Sequence, residues 1–145
     1  MRAVIQRVKK ADVKINKEIV GEINQGLLIL LAIHKNDTAD KIKKMADKIL
    51  NLRIFSDENE KMNLSIKDVS GELLVVSQFT LYGDCSKGKR PSFMDSTKPI
   101  KAIPYYEKFI DRMKSSGLKV ATGKFGAMMD VNLINNGPVT IIIED

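Results

Sequence analysis

The first third of the chain is built from short runs of apolar residues that predict β-strands. Strands are expected at Arg2–Val8, Asp12–Ile15 and Ile19–Ile23. Asn16-Lys17-Glu18, which separates the last two runs, predicts a hairpin turn. Gly26 then opens a continuous apolar run to Ile33, a pattern typical of a strand that is buried on both faces. The chain therefore begins with four strands joined by short connections.

Two longer segments repeat apolar residues at the spacing of an amphipathic helix. The first follows Asp37 or Thr38, either of which could cap it. Its apolar face comprises Ile42, Met45, Ala46, Ile49 and Leu50. The second runs from about Ile100 to Ser115, with an apolar stripe of Ala102, Tyr105, Tyr106, Phe109, Ile110 and Met113. Pro104 is compatible with this helix only in its first turn, and Gly117 suits a cap after its end.

The remaining strands lie between the helices and after the second one. They are predicted at Arg53-Ile54-Phe55, Glu72–Leu81, Leu118–Ala121, Ala127–Asn135 and Val139–Ile143. Met129, Val131 and Leu133 alternate with polar residues, as in a half-buried strand. This order of elements predicts an α+β fold, with a largely antiparallel curled sheet and two main helices in one domain spanning residues 1–145.

Composition limits the cellular compartment and the binding partners that can be expected for this protein. A single cysteine, Cys85, excludes an internal disulfide and fits a reducing compartment. The longest apolar run, Gly26 to Ile33, is too short for a membrane span, and the charged N-terminal strand does not resemble a signal peptide. We therefore expect a cytoplasmic protein without a membrane partner. The net charge of +6 favours polyanionic partners, although lysines that serve only solubility would produce the same charge.

The usual catalytic side chains are scarce in this sequence. His34 is the single histidine, so a Ser-His-Asp arrangement would have to use it, and its position at a strand end predicts a surface residue. No group of His, Cys or carboxylate residues has the spacing of a metal site, and no glycine-rich loop fits a nucleotide. Cys85 is read as a free surface thiol. The sequence therefore predicts no metal and no cofactor.

Two motifs place small polar groups beside specialised backbone. In Ser77-Gln78-Phe79-Thr80-Leu81, strand alternation would point Gln78 and Thr80 to one face, next to free amides at the strand end. Such amides could stabilise an oxyanion, or the hydroxyls could simply cap the strand. In Asn135-Asn136-Gly137-Pro138-Val139-Thr140, the Asn-Gly pair predicts a hairpin turn, and Pro138 stiffens it. A rigid Gly-Pro turn presents carbonyl groups in a fixed direction, which suits discrimination between substrates.

With these motifs and several other segments, the chain resembles the D-aminoacyl-tRNA deacylase family from end to end. The matching segments are Gln6-Arg7-Val8, Arg53-Ile54-Phe55-Ser56-Asp57, Lys61-Met62-Asn63-Leu64, Ser77-Gln78-Phe79-Thr80-Leu81, Arg90-Pro91-Ser92-Phe93, Thr122-Gly123-Lys124-Phe125-Gly126-Ala127 and Asn136-Gly137-Pro138-Val139-Thr140. The chain departs from the family pattern at Met128, where many members have Asp, and at Asn136, where many also have Asp.

The resemblance implies an enzyme that hydrolyses the ester between a D-amino acid, or mischarged glycine, and the terminal ribose of tRNA. It implies a homodimer with packed sheets and with active sites at the interface. Ser77, Gln78, Phe79 and Thr80 would line the pocket for the 3′ end of the aminoacylated tRNA, together with Phe125, Ala127 and Met129. Gly137 and Pro138 would form a cis dipeptide that enters the partner's pocket and rejects L-amino acids, and Arg7 would fix it.

The resemblance leaves the catalytic group open. Thr80 has been considered as a nucleophile, but no histidine is at hand to activate it, so the ribose 2′-hydroxyl of the substrate is the alternative activator of water. Two other functions remain conceivable: a basic dimer that binds nucleic acid without turnover through Lys87–Arg90, and a small protein whose dimer is its function. Release of D-amino acid from charged tRNA would distinguish the enzyme from both.

Overall fold

A computed structural model describes all 145 residues, Met1–Asp145. In chain order the elements are β1 (Arg2–Ile15), β2 (Glu18–Ile23), β3 (Gly26–Ala32), α1 (Ala39–Leu50), β4 (Phe55–Ser56), β5 (Met62–Leu64), β6 (Glu72–Ser77), a 3₁₀ helix (Phe79–Tyr82), α2 (Pro99–Lys114), β7 (Val120–Thr122) and β8 (Asp130–Glu144). The predicted α+β class with two main helices is confirmed. Neither helix is long and apolar enough to cross a membrane.

One six-stranded sheet organises the fold. Its strand order is β2-β1-β3-β6-β7, and β8 pairs with β1. The β1 strand runs antiparallel to β2, β3 and β8, whereas β6 is parallel to both β3 and β7. The parallel pairs follow connections that contain α1 and α2, because parallel neighbours need a long crossover. The sheet is therefore largely antiparallel, as predicted, with a parallel part that the sequence pattern did not indicate.

Two predicted pairs of strands are in fact two long strands. β1 joins the segments Arg2–Val8 and Asp12–Ile15, and β8 joins most of the two C-terminal segments but begins at Asp130 rather than Ala127. The partners of β1 change along its length, from β3 at its start to β2 at its end, while β8 accompanies it throughout. Pairing with β8, interrupted by two register shifts between Gln6 and Ala11, keeps each strand extended across positions that break the apolar pattern.

The predicted strand Glu72–Leu81 is too long. β6 ends at Ser77, and the Gln78 amide makes the next sheet bond, to the Leu31 carbonyl at 2.8 Å. The chain then turns into the 3₁₀ helix, closed by bonds from Leu81 to Gln78 and from Gly83 to Thr80. The proposed alternation of side chains across this motif is therefore wrong beyond Ser77.

The helix boundaries correct two further expectations. Thr38 precedes α1 but its side chain makes no capping bond, and Asp37 instead accepts bonds from the His34 amide and the Met1 ammonium, both at 2.7 Å. Pro104 is the sixth residue of α2, so it lies beyond the first turn. It is exposed, as is Ile100, and water can therefore replace the bond that Pro104 cannot donate to the Ile100 carbonyl.

The core lies on both faces of the sheet. The larger cluster includes both helices and one face of the sheet, and its biggest fully buried side chain is Phe109. A smaller cluster of seven residues covers the other face, and it includes Leu28 of β3. The predicted burial of β3 on two faces is thus confirmed. The sheet is also curled, because Gly21 of β2 lies so close to β7 that a Cβ there would be 2.5 Å from the Thr122 carbonyl oxygen.

Candidate active site

A cavity of about 680 Å³ opens where β3 and β6 end. Its walls come from these two strands, the 3₁₀ helix, the first turns of α2 and the segment before β8. Most of the lining residues are hydrophobic. Its size and its apolar lining with a few polar groups are typical of a pocket for a small organic ligand.

The structure brings the predicted Ser77–Thr80 motif together on one wall of this cavity. All four residues, Ser77, Gln78, Phe79 and Thr80, line it because the chain turns after β6 instead of continuing as a strand. The Gln78 side-chain amide donates to the Thr80 hydroxyl at 2.5 Å. Phe79 is more than half exposed and packs edge to face against Phe93, with ring centroids 5.2 Å apart.

Two backbone amides at this turn are free to bind a ligand. Phe79 and Thr80 begin the 3₁₀ helix, and their N–H groups donate to no protein acceptor. Both residues line the cavity. Adjacent amides of this kind can bind the negative oxygen that develops when an ester carbonyl is attacked.

The opposite wall is formed by the segment that precedes β8. Phe125, Ala127 and Met129, which the resemblance assigns to substrate binding, are half-buried and line the cavity. Met128 also lines this wall, and at 92% exposure it points away from the core. The side chains of this wall are nonpolar, so they shape the cavity without adding charge to it.

Tyr106 is a lining residue that the sequence analysis assigned only to the apolar stripe of a helix. Its hydroxyl donates to the Val75 carbonyl of β6 at 2.8 Å, and its ring lies 5.9 Å from that of Phe125. Burial raises the pKa of the Tyr106 phenol well above its usual value, so it remains a neutral donor. The sequence signal for this contact between α2 and β6 was the Tyr106 hydroxyl, a polar group within an otherwise apolar stripe.

Arg2 supports the 3₁₀ helix from the other side and was also missed. Its guanidinium donates to the Leu81 carbonyl at 2.6 Å, lies 4.7 Å from the centre of the Tyr82 ring, and pairs with Glu144 at 2.7 Å. Burial raises the pKa of the Tyr82 phenol strongly. Arg2 therefore ties the turn that carries Phe79 and Thr80 to β1 and β8.

His34 and Cys85 take no part in this cavity. His34 Nδ1 accepts a bond from the Asn36 amide at 3.1 Å, and the ring packs edge-on against Tyr82 at 5.1 Å. It is absent from the cavity lining, and so is Cys85, an exposed free thiol. The chain thus presents no pair of nucleophile and histidine base at the site.

Gly137 and Pro138 lie in a bulge of β8, called the Gly-Pro turn below, that is outside the cavity of their own chain. Four residues of β8, Asn136–Val139, face the single residue Arg7 of β1, because Gln6 pairs with Thr140 and Val8 pairs with Asn135. The turn protrudes from the sheet, both Gly137 and Pro138 are exposed, and the peptide bond between them is cis.

Arg7 holds this turn from below. Its Nε donates to the Asn136 carbonyl at 3.1 Å, and its Nη1 donates to the Ile54 carbonyl at 2.6 Å. The Asn135 side-chain amide closes the base of the turn with bonds to the carbonyls of Arg7 and Val139, at 3.3 and 3.0 Å. The exposed turn is therefore held at its base by side chains of both strands.

Comparison with known proteins agrees with this geometry. The family model for D-Tyr-tRNA(Tyr) deacylase matches residues 4–144. Proteins named D-aminoacyl-tRNA deacylase from Dictyoglomus turgidum and Aquifex aeolicus are 60% and 58% identical over 144 residues, which are 99% of this chain and 92% and 97% of theirs.

Solved structures extend the similarity to the fold. The structure titled c-Myc DNA Unwinding Element Binding Protein superposes with a TM-score of 0.94 at 40% identity, over 100% of this chain and 99% of its own. A structure titled as a probable eukaryotic D-amino acid tRNA deacylase has a TM-score of 0.86 at 16% identity, over 98% and 97%, and supports the fold alone. Together with the full-length sequence match, these similarities show that the chain belongs to the D-Tyr-tRNA(Tyr) deacylase family.

Proposed function

We propose that this protein, a D-aminoacyl-tRNA deacylase by its family, hydrolyses its ester substrate in the cavity beside Ser77–Thr80. The observation that carries the proposal is the pair of unpaired amides, Phe79 and Thr80, in a cavity that no histidine, cysteine or carboxylate lines. Such a site can stabilise an oxyanion but cannot generate a strong nucleophile. An aminoacyl ester is already reactive, so positioning and oxyanion stabilisation can suffice.

In the proposed reaction, water attacks the ester carbonyl carbon while the ribose 2′-hydroxyl of the substrate accepts a proton from it. The carbonyl oxygen becomes an oxyanion that accepts bonds from the amides of Phe79 and Thr80. The bond to the ribose 3′-oxygen then breaks, and that oxygen takes a proton from the 2′-hydroxyl, which is thereby neutral again. The products are tRNA with free hydroxyls and an amino acid, either a D-amino acid or glycine.

In this mechanism the polar side chains of the motif position the substrate. The bond from Gln78 to Thr80 fixes both side chains, and Ser77 lies at the end of β6 beside them. Phe79 offers an exposed ring against which the terminal adenine can stack. The lining formed by Phe125, Ala127 and Met129 encloses the opposite side of the aminoacyl group.

A second subunit would complete each site. Gly137 and Pro138 protrude from β8 and lie outside the cavity of their own chain. The same strand exposes Ile134 and Ile142, the latter to 67%, which are unusual in a strand that faces only water. We infer a symmetric dimer with sheets packed together, in which the turn of one subunit enters the cavity of the other. There its carbonyls hold the substrate amino group and leave no room for an L side chain.

One assay tests the function directly. The protein is incubated with matched D- and L-aminoacyl-tRNA of one amino acid, and with glycyl-tRNA, and the remaining ester is measured over time. We expect the D-ester and the glycyl ester to be cleaved while the L-ester survives. Equal hydrolysis of the D-ester and the L-ester would contradict the proposed rejection of L-amino acids. Survival of the D-, L- and glycyl esters would favour a dimer that binds nucleic acid without turnover. Because the substrate belongs to translation, we assign the protein to the cytoplasm.

Removal of the Thr80 hydroxyl distinguishes the two catalytic hypotheses. Thr80→Val deletes one hydrogen bond, so we expect kcat to fall less than about 10-fold, since such a bond contributes roughly 1 kcal/mol. A covalent role would instead produce the roughly million-fold loss that follows removal of a nucleophilic serine. His34→Ala is the companion variant, and single-turnover hydrolysis of D-aminoacyl-tRNA by both should stay near the unaltered rate. A loss of several orders of magnitude in either variant would require side-chain catalysis.

A further inference from the structure

We propose that unpaired cations around the cavity mouth bind phosphates of the tRNA acceptor end, an inference that rests on the proposed function. The cations lie in the rim loop, defined as Gly83–Met94, and at two flanking positions, Lys98 and Lys124. No part of this set belongs to the cavity lining itself. It would therefore recognise the nucleic acid beyond the terminal nucleoside.

The rim loop is fixed against the cavity at its base. Asp84 and Ser92 exchange two backbone hydrogen bonds, at 2.8 and 2.9 Å, which close the loop. Phe93 then packs on Phe79, the exposed aromatic residue of the site. The loop therefore projects from the lip of the cavity, with its tip at Lys87–Arg90.

The positive charge of this rim is not neutralised by the protein. Lys87, Lys89, Arg90, Lys98 and Lys124 are all exposed, and none belongs to any of the eight ion pairs of the chain. By contrast, Asp95, which directly follows the rim loop, is paired with Lys35 at 2.7 Å. Asp84 accepts a bond from the Ser86 amide, which lowers the pKa of its carboxyl. Five free cations thus stand against two unpaired carboxylates, Asp84 and Asp130, the second of which lies between the lining residues Met129 and Val131.

Their positions surround the mouth from two sides. Lys98 lies between Thr97 and Pro99, which both line the cavity, and Lys124 precedes the lining residue Phe125 on the opposite wall. A cavity of about 680 Å³ accommodates a terminal nucleoside with its amino acid, so the rest of the bound tRNA must extend out of the cavity past this rim. Each nucleotide outside the cavity carries a phosphate, and free lysines and arginines bind phosphates by releasing counterions. The rim therefore fits the backbone of the acceptor end.

The test compares two triple variants of the full-length protein. The rim variant is Lys87→Ala, Lys89→Ala and Arg90→Ala, and the control variant is Lys48→Ala, Lys108→Ala and Lys114→Ala. The three control lysines are likewise exposed and outside all ion pairs, but they lie on α1 and α2 away from the cavity lining. Both variants lose the same net charge, so any difference between them reflects where the charge lies.

Each protein is assayed on D-aminoacyl-tRNA and on 3′-O-(D-aminoacyl)adenosine across a salt series. For the tRNA, the rim variant should lower kcat/KM and reduce the slope of log(kcat/KM) against log[salt] by about 2, since each lost phosphate contact with a single strand contributes about 0.7. Its activity on the aminoacyl nucleoside should match that of the control. Equal slopes for the two variants, or an equal loss on both substrates, would overturn the proposal.

Binding of uncharged tRNA separates this inference from the proposed hydrolysis. In the same salt series, the rim variant should bind uncharged tRNA more weakly than the control variant, whether or not the protein turns over an ester. If the unaltered protein cleaves neither substrate, the deacylase mechanism fails. The binding series then still measures the contribution of the rim cations to tRNA affinity. If it cleaves both and the two variants bind tRNA equally, the rim proposal alone fails.

Discussion

Replacing Gly137 by alanine is expected to lower kcat/KM for D-aminoacyl-tRNA about 100-fold, because a displacement of about 1 Å in a positioning group has that effect. Gly137 has φ +126°, a conformation that L side chains rarely adopt. A Cβ at this position would also lie 2.9 Å from both Arg7 Nη2 and Val139 Cγ2. The turn must therefore shift, and Arg7 can no longer hold it in the same place.

Gly117→Ala is the matched control for this substitution. Gly117 has φ +82°, but a Cβ there would meet nothing within 4 Å, and the residue lies after α2, outside the cavity. It carries a similar backbone penalty without the collision. Steady-state kinetics on D-aminoacyl-tRNA should show a normal rate for Gly117→Ala. A normal rate for Gly137→Ala as well would remove the turn from the site.

Mixing two impaired variants tests whether the turn acts on the partner subunit. Ala127→Trp fills the cavity, and Gly137→Ala displaces the turn, so each variant alone should retain no more than about 1% of the activity. In a mixed dimer, the open cavity of one chain faces the intact turn of the other, and random exchange should restore about a quarter of the sites. Activity that reappears after the two proteins are unfolded together and refolded would support the shared site. No recovery, with dimers verified by sedimentation, would contradict it.

Phe109→Ala is expected to destabilise the fold by about 3–5 kcal/mol, the usual effect of removing a buried aromatic ring. Phe109 is the largest fully buried side chain and joins α2 to the main core cluster. For a chain of this size, such a loss lowers the melting temperature by roughly 10–16 °C. Thermal unfolding should be compared at one protein concentration, because the stability of the proposed dimer would depend on that concentration.

Ile100→Ala on the same helix provides the comparison. Ile100 is 87% exposed, so its truncation should change the free energy of unfolding by less than about 0.5 kcal/mol. A similar loss of stability in both variants would mean that α2 is held by its exposed face, for example through another subunit. A loss confined to Phe109→Ala would place its stabilising contacts in the core described above.

Local patterns in the sequence were sufficient where neighbouring residues determine the structure. The face of α1 that carries Ile42, Met45 and Ile49 is buried as predicted, because helical spacing by itself places these side chains together. The run from Gly26 is a strand buried on both faces for a similar reason, since it lacks any polar side to expose. The resemblance to the deacylase family likewise came from residues in order along the chain and is confirmed.

Other features depended on contacts between distant segments. The chain turns just after Ser77, its last residue paired with β3, and this turn brings Gln78, Phe79 and Thr80 to one cavity wall. Local alternation could not show it. The roles of Tyr106 and Arg2 were hidden for the same reason, as their partners Val75 and Leu81 lie 31 and 79 positions away in the sequence.

The sequence by itself determined the class of fold, the buried faces and the family, because periodicity and motif order are properties of neighbouring positions. Only the tertiary structure decided that β1 and β8 pair over most of their length and that four residues of β8 lie opposite the single residue Arg7. It also decided that this turn stands apart from the cavity of its own chain. These features follow from strand register, which is set by packing between segments more than 100 residues apart and leaves no periodic signal in either segment.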